Sequence, residues 1–291
     1  MEPYNVSNLT EPPLKDQVGS GVLGFCFLLG IPGNILVVVM ILRHFKRENF
    51  TLHLMLNLAA SDILCLLNTP LAIYNLLWGW SIGDALCKTF YFFIYLSVAV
   101  SLLTITLISV HRYVFVLHPE QWARLGRKGE KALLFILWAT ACLPCGLLTS
   151  TYGVVRHGSR DVCWRIHMSD QRRVAILLSE FVMNFIFPFS IITTSYCRLH
   201  KKVNQTAFFS DQRLARLIMS IVVTFLILWT PCHVVSLLEV FAFSVKSHNL
   251  VLYNKLQAIK RVSRPIVKSF INSCVNPLLY AFNVRSLRGS G

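Results

Sequence analysis

The chain has 291 residues, of which 55% are hydrophobic and only 14% are charged, and its formal net charge at pH 7 is +15. A soluble domain of this length would carry more charge on its surface, so the composition excludes that class. The apolar residues come in long blocks, and a span of about 20 mostly apolar residues crosses a bilayer as a helix. We therefore expect membrane lipids, and no nucleic acid, among its partners.

Seven apolar blocks follow one another along the chain. They lie near 18–42, 53–77, 87–117, 132–152, 174–198, 214–243 and 264–283. We predict an all-α membrane protein, a seven-transmembrane helix bundle. Its parts are a flexible extracellular N-terminus (1–17), the transmembrane domain (18–284) and a truncated cytoplasmic tail (285–291).

The segment before the first block carries two N-glycosylation acceptors, at Asn5 and Asn8. Lys and Arg are divided almost evenly between the two sides, so the positive-inside rule barely decides the orientation. The acceptors favour an extracellular N-terminus, and we predict a multi-pass protein of the plasma membrane.

The second block contains a carboxylate in mid-helix, Asp62 in "LNLAASDILCLL". Polar groups at bilayer depth are costly and therefore candidates for function. Carboxylate, hydroxyl and amide oxygens are hard ligands, so a sodium pocket is plausible here. The alternative is a water-filled polar network around a protonated Asp62. The residues that could converge on Asp62 are Ser101, Asn272, Ser273 and Asn276.

Two of the nine cysteines face an oxidising compartment in this topology, Cys87 at the start of the third block and Cys163 in the second outer loop. We predict that these two form a disulfide bond. The other seven fall in or at the end of apolar blocks, where we expect small packing residues. No spacing of cysteine and histidine suggests zinc.

The third block ends in His111-Arg112-Tyr113. An arginine is costly near hydrocarbon, and nothing in this stretch neutralises it. Its neighbour is a histidine, which can only add positive charge.

The outer segments are strongly basic. Such a surface attracts anions, so it favours an anionic ligand, although a solvated loop surface near lipid headgroups would look the same. The residues concerned are Arg156, Arg160, Arg165, Arg172, Arg173, Lys246, Lys255, Lys260, Arg261, Arg264 and Lys268.

Prolines interrupt the fifth, sixth and seventh blocks at Pro188, Pro231 and Pro277. Each removes an internal hydrogen bond and allows a kink. Kinked helices beside buried polar groups could support a two-state rearrangement, although static bends remain an alternative.

These motifs resemble the rhodopsin-like (class A) G-protein-coupled receptors along nearly the entire chain. The shared residues are Gly33-Asn34, "LAASD" ending at Asp62, "WSIG" from Trp80, Cys87, Arg112-Tyr113, Trp138, Cys163, Pro188 with Tyr196, Phe225 with "WTPC" from Trp229, and Asn276-Pro277 through Tyr280. The resemblance implies that activation and G-protein coupling need no cofactor, with sodium as a possible allosteric modulator. The residues it implies for activation and coupling are His111, Arg112, Tyr113, Tyr196, Asp211, Phe225, Trp229, Asn276, Pro277 and Tyr280.

In the family, the residue before Arg112 is usually acidic and restrains the arginine, whereas this chain has His111. Some members pair the arginine with an acid at the inner end of helix six, where Asp211 stands in this chain. An Arg112–Asp211 pair is therefore a candidate restraint. At a partly wet membrane edge such a pair contributes about 1 kcal/mol, so we expect some basal activity.

A finer resemblance is to the leukotriene B4 receptors, through Glu180 eight residues before Pro188 and His233 two residues after Pro231. It implies that these two side chains bind ligand hydroxyls. Where those receptors carry arginines, this chain has Tyr152 in helix four, and in helix seven Arg261 and Arg264 only bracket the position.

The predicted ligand contacts combine this resemblance with the residues themselves. Tyr91 and Tyr95 lie on one helix face and could offer hydroxyls. Arg156, Arg261 and Arg264 are candidates for binding a carboxylate. The alternatives are interhelical packing for the tyrosines and a satisfied polar group inside the bundle for Glu180.

We therefore expect a receptor for an anionic lipid mediator, a hydroxylated fatty acid of the leukotriene B4 kind, that signals through a heterotrimeric G protein of the inhibitory class. A receptor for a peptide or small chemotactic protein is the alternative. A transporter would show internal repeats or broken half-helices, which we do not find. No nucleophile–base set indicates an enzyme.

Overall fold

The computed structural model describes residues 12–44, 50–157, 160–166, 168–203, 212–246, 248–262 and 269–277. These residues are almost entirely helical. The helices are α1 (Leu14–His44), α2 (Phe50–Leu66), α3 (Thr69–Leu77), α4 (Asp84–Leu117), α5 (Pro119–Thr149), α6 (Asp170–Phe181), a π-helix (Val182–Ile186), α7 (Phe187–Val203), α8 (Gln212–Val245), α9 (Leu250–Val262) and α10 (269–277). Two strands, β1 (Tyr152–His157) and β2 (Arg160–Arg165), form a hairpin after α5.

Six stretches of the described helices are long and apolar enough to cross a membrane. They are Leu14–Arg43, Phe50–Leu77, Asp84–Leu117, Pro119–Thr149, Asp170–Leu199 and Val222–Val245. Each overlaps one of the first six predicted blocks. The seventh block coincides in part with α10, and its residues 264–268 and 278–283 lie outside the described residues.

The element boundaries differ from the sequence prediction in two places. The seventh block was placed at 264–283, whereas α9 is already helical from Leu250. Polar residues of α9 interrupt the apolar run, so hydropathy alone does not predict this helix. In α5, a short helix from Pro119 meets the long fourth helix at a kink, where Gly126 has a φ of 59° that suits a residue without a Cβ. The long helix ends at Thr149, so Tyr152, which was predicted in helix four, begins β1 instead.

The π-helix lies immediately before Pro188 in the span formed by α6 and α7. Proline has no backbone N–H and cannot take part in a regular helical hydrogen bond. The wider turns begin before it, and the Phe187 N–H donates to the carbonyl of Val182, five residues earlier. The fifth predicted span is therefore one helix with an irregular turn in its middle.

α1 packs closely against α10 because glycine leaves room between them. A Cβ on Gly33 would lie 2.8 Å from the Cβ of Pro277, so a larger residue would push the helices apart. The neighbouring Asn34 is fully buried, and its amide donates to the carbonyl of Ser273 at 3.0 Å. These contacts hold the segment around Asn276 against α1.

Five of the cysteines predicted to pack inside the bundle are buried, but Cys142 and Cys197 are exposed on its surface. The prediction was wrong for these two. An apolar block looks alike on the face that meets neighbouring helices and on the face that meets lipid, so position in the block does not decide burial.

The hairpin is held against one end of the bundle, which we call the hairpin end. Cys163 and Cys87 form a disulfide bond with their Cα atoms 5.5 Å apart, in agreement with the predicted pairing. Asn75 of α3 accepts from the Cys163 N–H at 3.0 Å and donates to its carbonyl at 3.2 Å. The carboxylate of Asp84 accepts from the Val154 N–H at 3.1 Å. Both strands are thus tied to the tops of α3 and α4.

Candidate functional site

Three tyrosines from α4 and β1 meet beneath the hairpin. The rings of Tyr91 and Tyr152 stack with centroids 3.8 Å apart, and the hydroxyls of Tyr95 and Tyr152 are hydrogen-bonded at 2.6 Å. Burial raises the pKa of Tyr152 above its ordinary value, so this phenol stays protonated. The predicted pair Tyr91 and Tyr95 therefore lies next to a third tyrosine that the sequence did not single out.

Arg165, at the end of β2, points into this cluster. Its Nη2 donates to Glu180 Oε1 at 2.7 Å and to the Tyr95 hydroxyl at 3.5 Å, and its guanidinium carbon lies 5.2 Å from the centre of the Tyr152 ring. Burial disfavours its charge, but Tyr152, Tyr95 and Glu180 outweigh burial, so the pKa of Arg165 lies above its ordinary value. A permanent positive charge thus sits beside three hydrogen-bonding partners.

Two buried nitrogens at this end have no hydrogen-bond acceptor or donor among the described residues: Nε of Arg165 and Nε2 of His233. The side chain of Arg165 is only 9% exposed. His233 of α8 is enclosed by aromatic rings, with Phe185 at 4.8 Å and Phe181 at 5.8 Å between centroids. Buried polar groups are nearly always paired in native proteins, so both nitrogens are available to a bound molecule.

The predicted basic contacts are placed differently from Arg165. Arg156 lies nearer the hairpin turn, is two-thirds exposed, and forms an ion pair with Asp161 across the hairpin at 3.2 Å. Arg264 and the side chain of Arg261 lie outside the described residues. The arginine that the structure brings together with Glu180 is therefore one that the sequence placed only in the general basic surface.

A second group of charges joins α6 to α8. Arg173 forms an ion pair with Glu239, a buried acid on α8 that the sequence prediction missed. Lys246, just beyond α8, binds Asp170 at the start of α6 at 2.5 Å, and both of these side chains are about half exposed. An acid within the apolar stretch "VSLLEVFAF" was the signal that could have identified Glu239.

The polar residues predicted around Asp62 do come together. Asp62 is fully buried, accepts from the Asn276 amide at 2.7 Å, and has the Ser101 hydroxyl at 3.5 Å. Ser61 shares a hydrogen bond with Ser101 at 2.8 Å. The predicted neighbours Asn272 and Ser273 are buried on α10. The oxygen-rich donor set suits a hard cation, although Asn276 already occupies one carboxylate oxygen.

At the opposite end of the bundle, His111 and Arg112 face different partners. The buried His111 ring has its Nδ1 3.3 Å from the Thr51 hydroxyl and lies against Phe50 and Trp122. Arg112 instead lies close to the Tyr196 hydroxyl on α7. The neighbouring Tyr113 packs edge-on against His118.

The remaining predicted coupling residues are described only in part. Trp229 packs near His233, with ring centroids 6.4 Å apart. Asn276 and Pro277 lie on α10, as described above. Asp211, Tyr280, the side chain of Phe225 and the glycosylation acceptors Asn5 and Asn8 lie outside the described residues, so their predicted roles stay predictions.

Comparison with known proteins assigns the family. The profile described as 7 transmembrane receptor (rhodopsin family) matches residues 33–280. Leukotriene B4 receptor 1 of Homo sapiens is 30% identical over 264 residues, covering 89% of this chain and 75% of the relative. The C3a anaphylatoxin chemotactic receptor of Danio rerio is 32% identical, covering 88% and 69%, and C-C chemokine receptor type 8 of Mus musculus is 29% identical, covering 88% and 73%. With its helices and motifs in the same order, the chain belongs to the rhodopsin family of seven-transmembrane receptors.

Proposed function

We propose that this receptor responds to an anionic lipid mediator, a hydroxylated fatty acid of the leukotriene B4 kind, and signals through a heterotrimeric G protein of the inhibitory class. It acts at the plasma membrane, with the N-terminus and the hairpin end outside the cell. Membership of a receptor family makes the chain a receptor and not an enzyme.

The observation that carries this proposal is the polar cluster at the hairpin end. Hydroxyls of Tyr95 and Tyr152 and the carboxylate of Glu180 lie together, within a wall of aromatic and apolar side chains. A ligand with several hydroxyls along a hydrocarbon chain matches such a mixture of few polar groups and much apolar surface. The basic residues of the hairpin and α6 favour a negatively charged ligand over a neutral one.

The relatives support both this ligand class and one alternative. Leukotriene B4 receptor 1 is named for a lipid, whereas the C3a and C5a anaphylatoxin and chemokine receptors are named for proteins. The Arg165–Glu180 pair offers both signs of charge, which would also suit a peptide terminus. A receptor for a peptide or small chemotactic protein is therefore the second candidate.

One experiment separates the two. Cells expressing the chain are exposed to a panel of hydroxylated fatty acids, including leukotriene B4, and to a panel of chemotactic peptides and proteins, with suppression of cyclic AMP as the readout. We expect a response to hydroxylated fatty acids. A response confined to the peptide panel would replace the proposal with the alternative.

We further propose that sodium modulates this receptor at Asp62. The buried carboxylate and the hydroxyl of Ser101 supply hard oxygen ligands, and the buried Ser273 lies on the facing helix. A cation there would add ligands from several helices at once and so favour one arrangement of the bundle.

A further inference from the structure

We propose that Arg165 binds the carboxylate of the ligand, and that Arg165 forms an ion pair with Glu180 when no ligand is present. This inference rests on the proposed function, because it assumes a ligand with a carboxylate. It assigns to the hairpin the anion contact that the sequence placed on Arg156, Arg261 and Arg264.

The position of Arg165 is fixed before any ligand arrives. It stands two residues after Cys163, which is bonded to α4 through the disulfide and to α3 through both hydrogen bonds of Asn75. Its cross-strand partner is Tyr152, whose ring the guanidinium covers. A group held in place by its surroundings binds with less loss of conformational entropy than a mobile side chain on the surface.

The hydrogen-bonding state of Arg165 leaves room for an anion. A guanidinium has five N–H donors, and here Nη2 serves Glu180 and the Tyr95 hydroxyl while Nε–H has no acceptor among the described residues. A carboxylate binds a guanidinium through two parallel hydrogen bonds, typically to Nε and one terminal nitrogen. The incoming carboxylate would therefore accept from Nε and would compete with Glu180 for Nη2 at the same edge of the guanidinium.

The other described arginines of the hairpin end are less suited. Arg156 is exposed and engaged with Asp161, and Arg173 is engaged with the buried Glu239. Arg160 donates to the carbonyl of Leu77 at 2.7 Å and so serves to anchor the hairpin, and Arg172 is exposed. Arg165 combines burial, an unused donor and contact with the tyrosine cluster.

The consequence is that the two members of the pair have opposite effects on ligand affinity. Removing Arg165 removes the partner of the carboxylate. Removing the charge of Glu180 removes a competitor, since Glu180 and the ligand carboxylate seek the same donors. If Glu180 only accepted a ligand hydroxyl, its neutralisation would weaken the binding of acid and ester equally.

The test compares leukotriene B4 with its methyl ester on membranes of cells expressing the full chain, with competition binding as the readout. In the wild type we expect the acid to bind about ten- to a hundredfold more tightly than the ester, the worth of a charge-assisted hydrogen bond. In Arg165→Gln this acid-to-ester ratio should fall close to one, and in Arg165→Lys it should be partly retained. The ratio is measured within one variant, so it does not depend on expression level.

Two further variants complete the design. Glu180→Gln should raise the acid-to-ester ratio severalfold above that of the wild type, which also tests the pair if Arg165 variants fail to reach the surface. Arg172→Gln is the matched control, because it removes an exposed arginine at the same end of the bundle and should keep the wild-type ratio.

The outcomes separate the two proposals. If the acid binds the wild type but the ratio survives in Arg165→Gln, or collapses in Arg156→Gln instead, the carboxylate is held elsewhere and the assignment to Arg165 is wrong. An acid-to-ester ratio that stays the same or falls in Glu180→Gln would likewise overturn the competition. If no hydroxylated fatty acid of the panel binds the wild type, the proposed function itself fails and this inference with it.

Discussion

His111 has a packing role at a position where an acidic residue was expected. The residue before Arg112 was expected to be acidic from the family resemblance, but here the histidine is buried between Phe50 and Trp122 and meets the Thr51 hydroxyl. Its described contacts therefore tie α4 to α2 and to the start of α5. The imidazole stabilises the packing of three helices, which leaves the restraint of Arg112 to another residue.

We predict that Asp211→Asn raises signalling in the absence of ligand, because an Arg112–Asp211 ion pair would favour the resting state. A pair at a wet membrane edge is worth about 1 kcal/mol, which corresponds to about a fivefold change in the ratio of active to inactive receptor. Basal nucleotide exchange on the G protein, measured at matched expression, checks this. Unchanged basal exchange, with coupling still lost in Arg112→Ala, would show that Arg112 is restrained in another way.

At Asp62 we predict that agonist affinity falls as sodium replaces choline in the buffer, because a cation held there favours the resting arrangement. Asp62→Asn removes the charged ligand and should abolish the sodium dependence. Competition binding at constant ionic strength measures both. Equal affinity in sodium and choline for the wild type would argue for the alternative, a polar network without a bound cation.

At the scale of elements, the hairpin acts as the support for Arg165. We predict that the double variant Cys87→Ser/Cys163→Ser loses ligand binding or fails to reach the cell surface, because the strands then lose their covalent bond to α4. Cys142→Ser is the matched control, since Cys142 is an exposed free thiol, and should behave like the wild type. Full affinity of the double variant at normal surface levels would contradict the prediction.

The ion pairs between α6 and α8 stabilise the same end of the bundle. Arg173→Gln removes a cation from beside the buried Glu239, and breaking a buried ion pair costs about 3 kcal/mol in comparable cases, so we predict a melting temperature several degrees lower for the purified receptor. Lys246→Gln breaks the half-exposed pair with Asp170 and should change the melting temperature much less. Equal effects of the two variants would mean that burial does not set the strength of these pairs.

The sequence predicted the spans well because hydropathy over about 20 residues is a strong signal. It missed α9, where charged residues interrupt the pattern, and the exposure of Cys142 and Cys197, because lipid-facing and buried positions have similar composition. The exposure of a cysteine depends on whether its helix face meets another helix or lipid, and hydropathy does not show this.

The candidate site was predictable in part. Tyr91, Tyr95 and Glu180 do lie together, but the inward position of Arg165 depends on the hairpin. In a strand, alternate residues share a face, so Arg165 lies on the same face as the buried Cys163, whereas Trp164 between them is half exposed. The predicted disulfide together with a predicted strand would have been enough to identify Arg165.

At the scale of the whole molecule, the orientation in the membrane decides which end meets the ligand. We predict that Asn5 and Asn8 are glycosylated, which requires an N-terminus outside the cell and places the hairpin end there too. Treatment with an N-glycosidase should therefore increase the gel mobility of the wild type but leave the Asn5→Gln/Asn8→Gln variant unchanged. Asn204, in the segment between the fifth and sixth blocks, also matches the acceptor pattern but would face the cytosol in this orientation. A shift that persists in the Asn5→Gln/Asn8→Gln variant but is lost in Asn204→Gln would reverse the proposed orientation.

The π-helix at Val182–Ile186 sets the rotational phase between the two halves of its span. Each residue of a regular helix turns the chain by about 100° and advances it by about 1.5 Å. Deleting one residue from the wide turns would restore regular winding, but it would rotate Glu180 by roughly that angle relative to the half of the helix that carries Tyr196. The meeting of Glu180 with Arg165 thus depends on the width of a turn that begins two residues after Glu180.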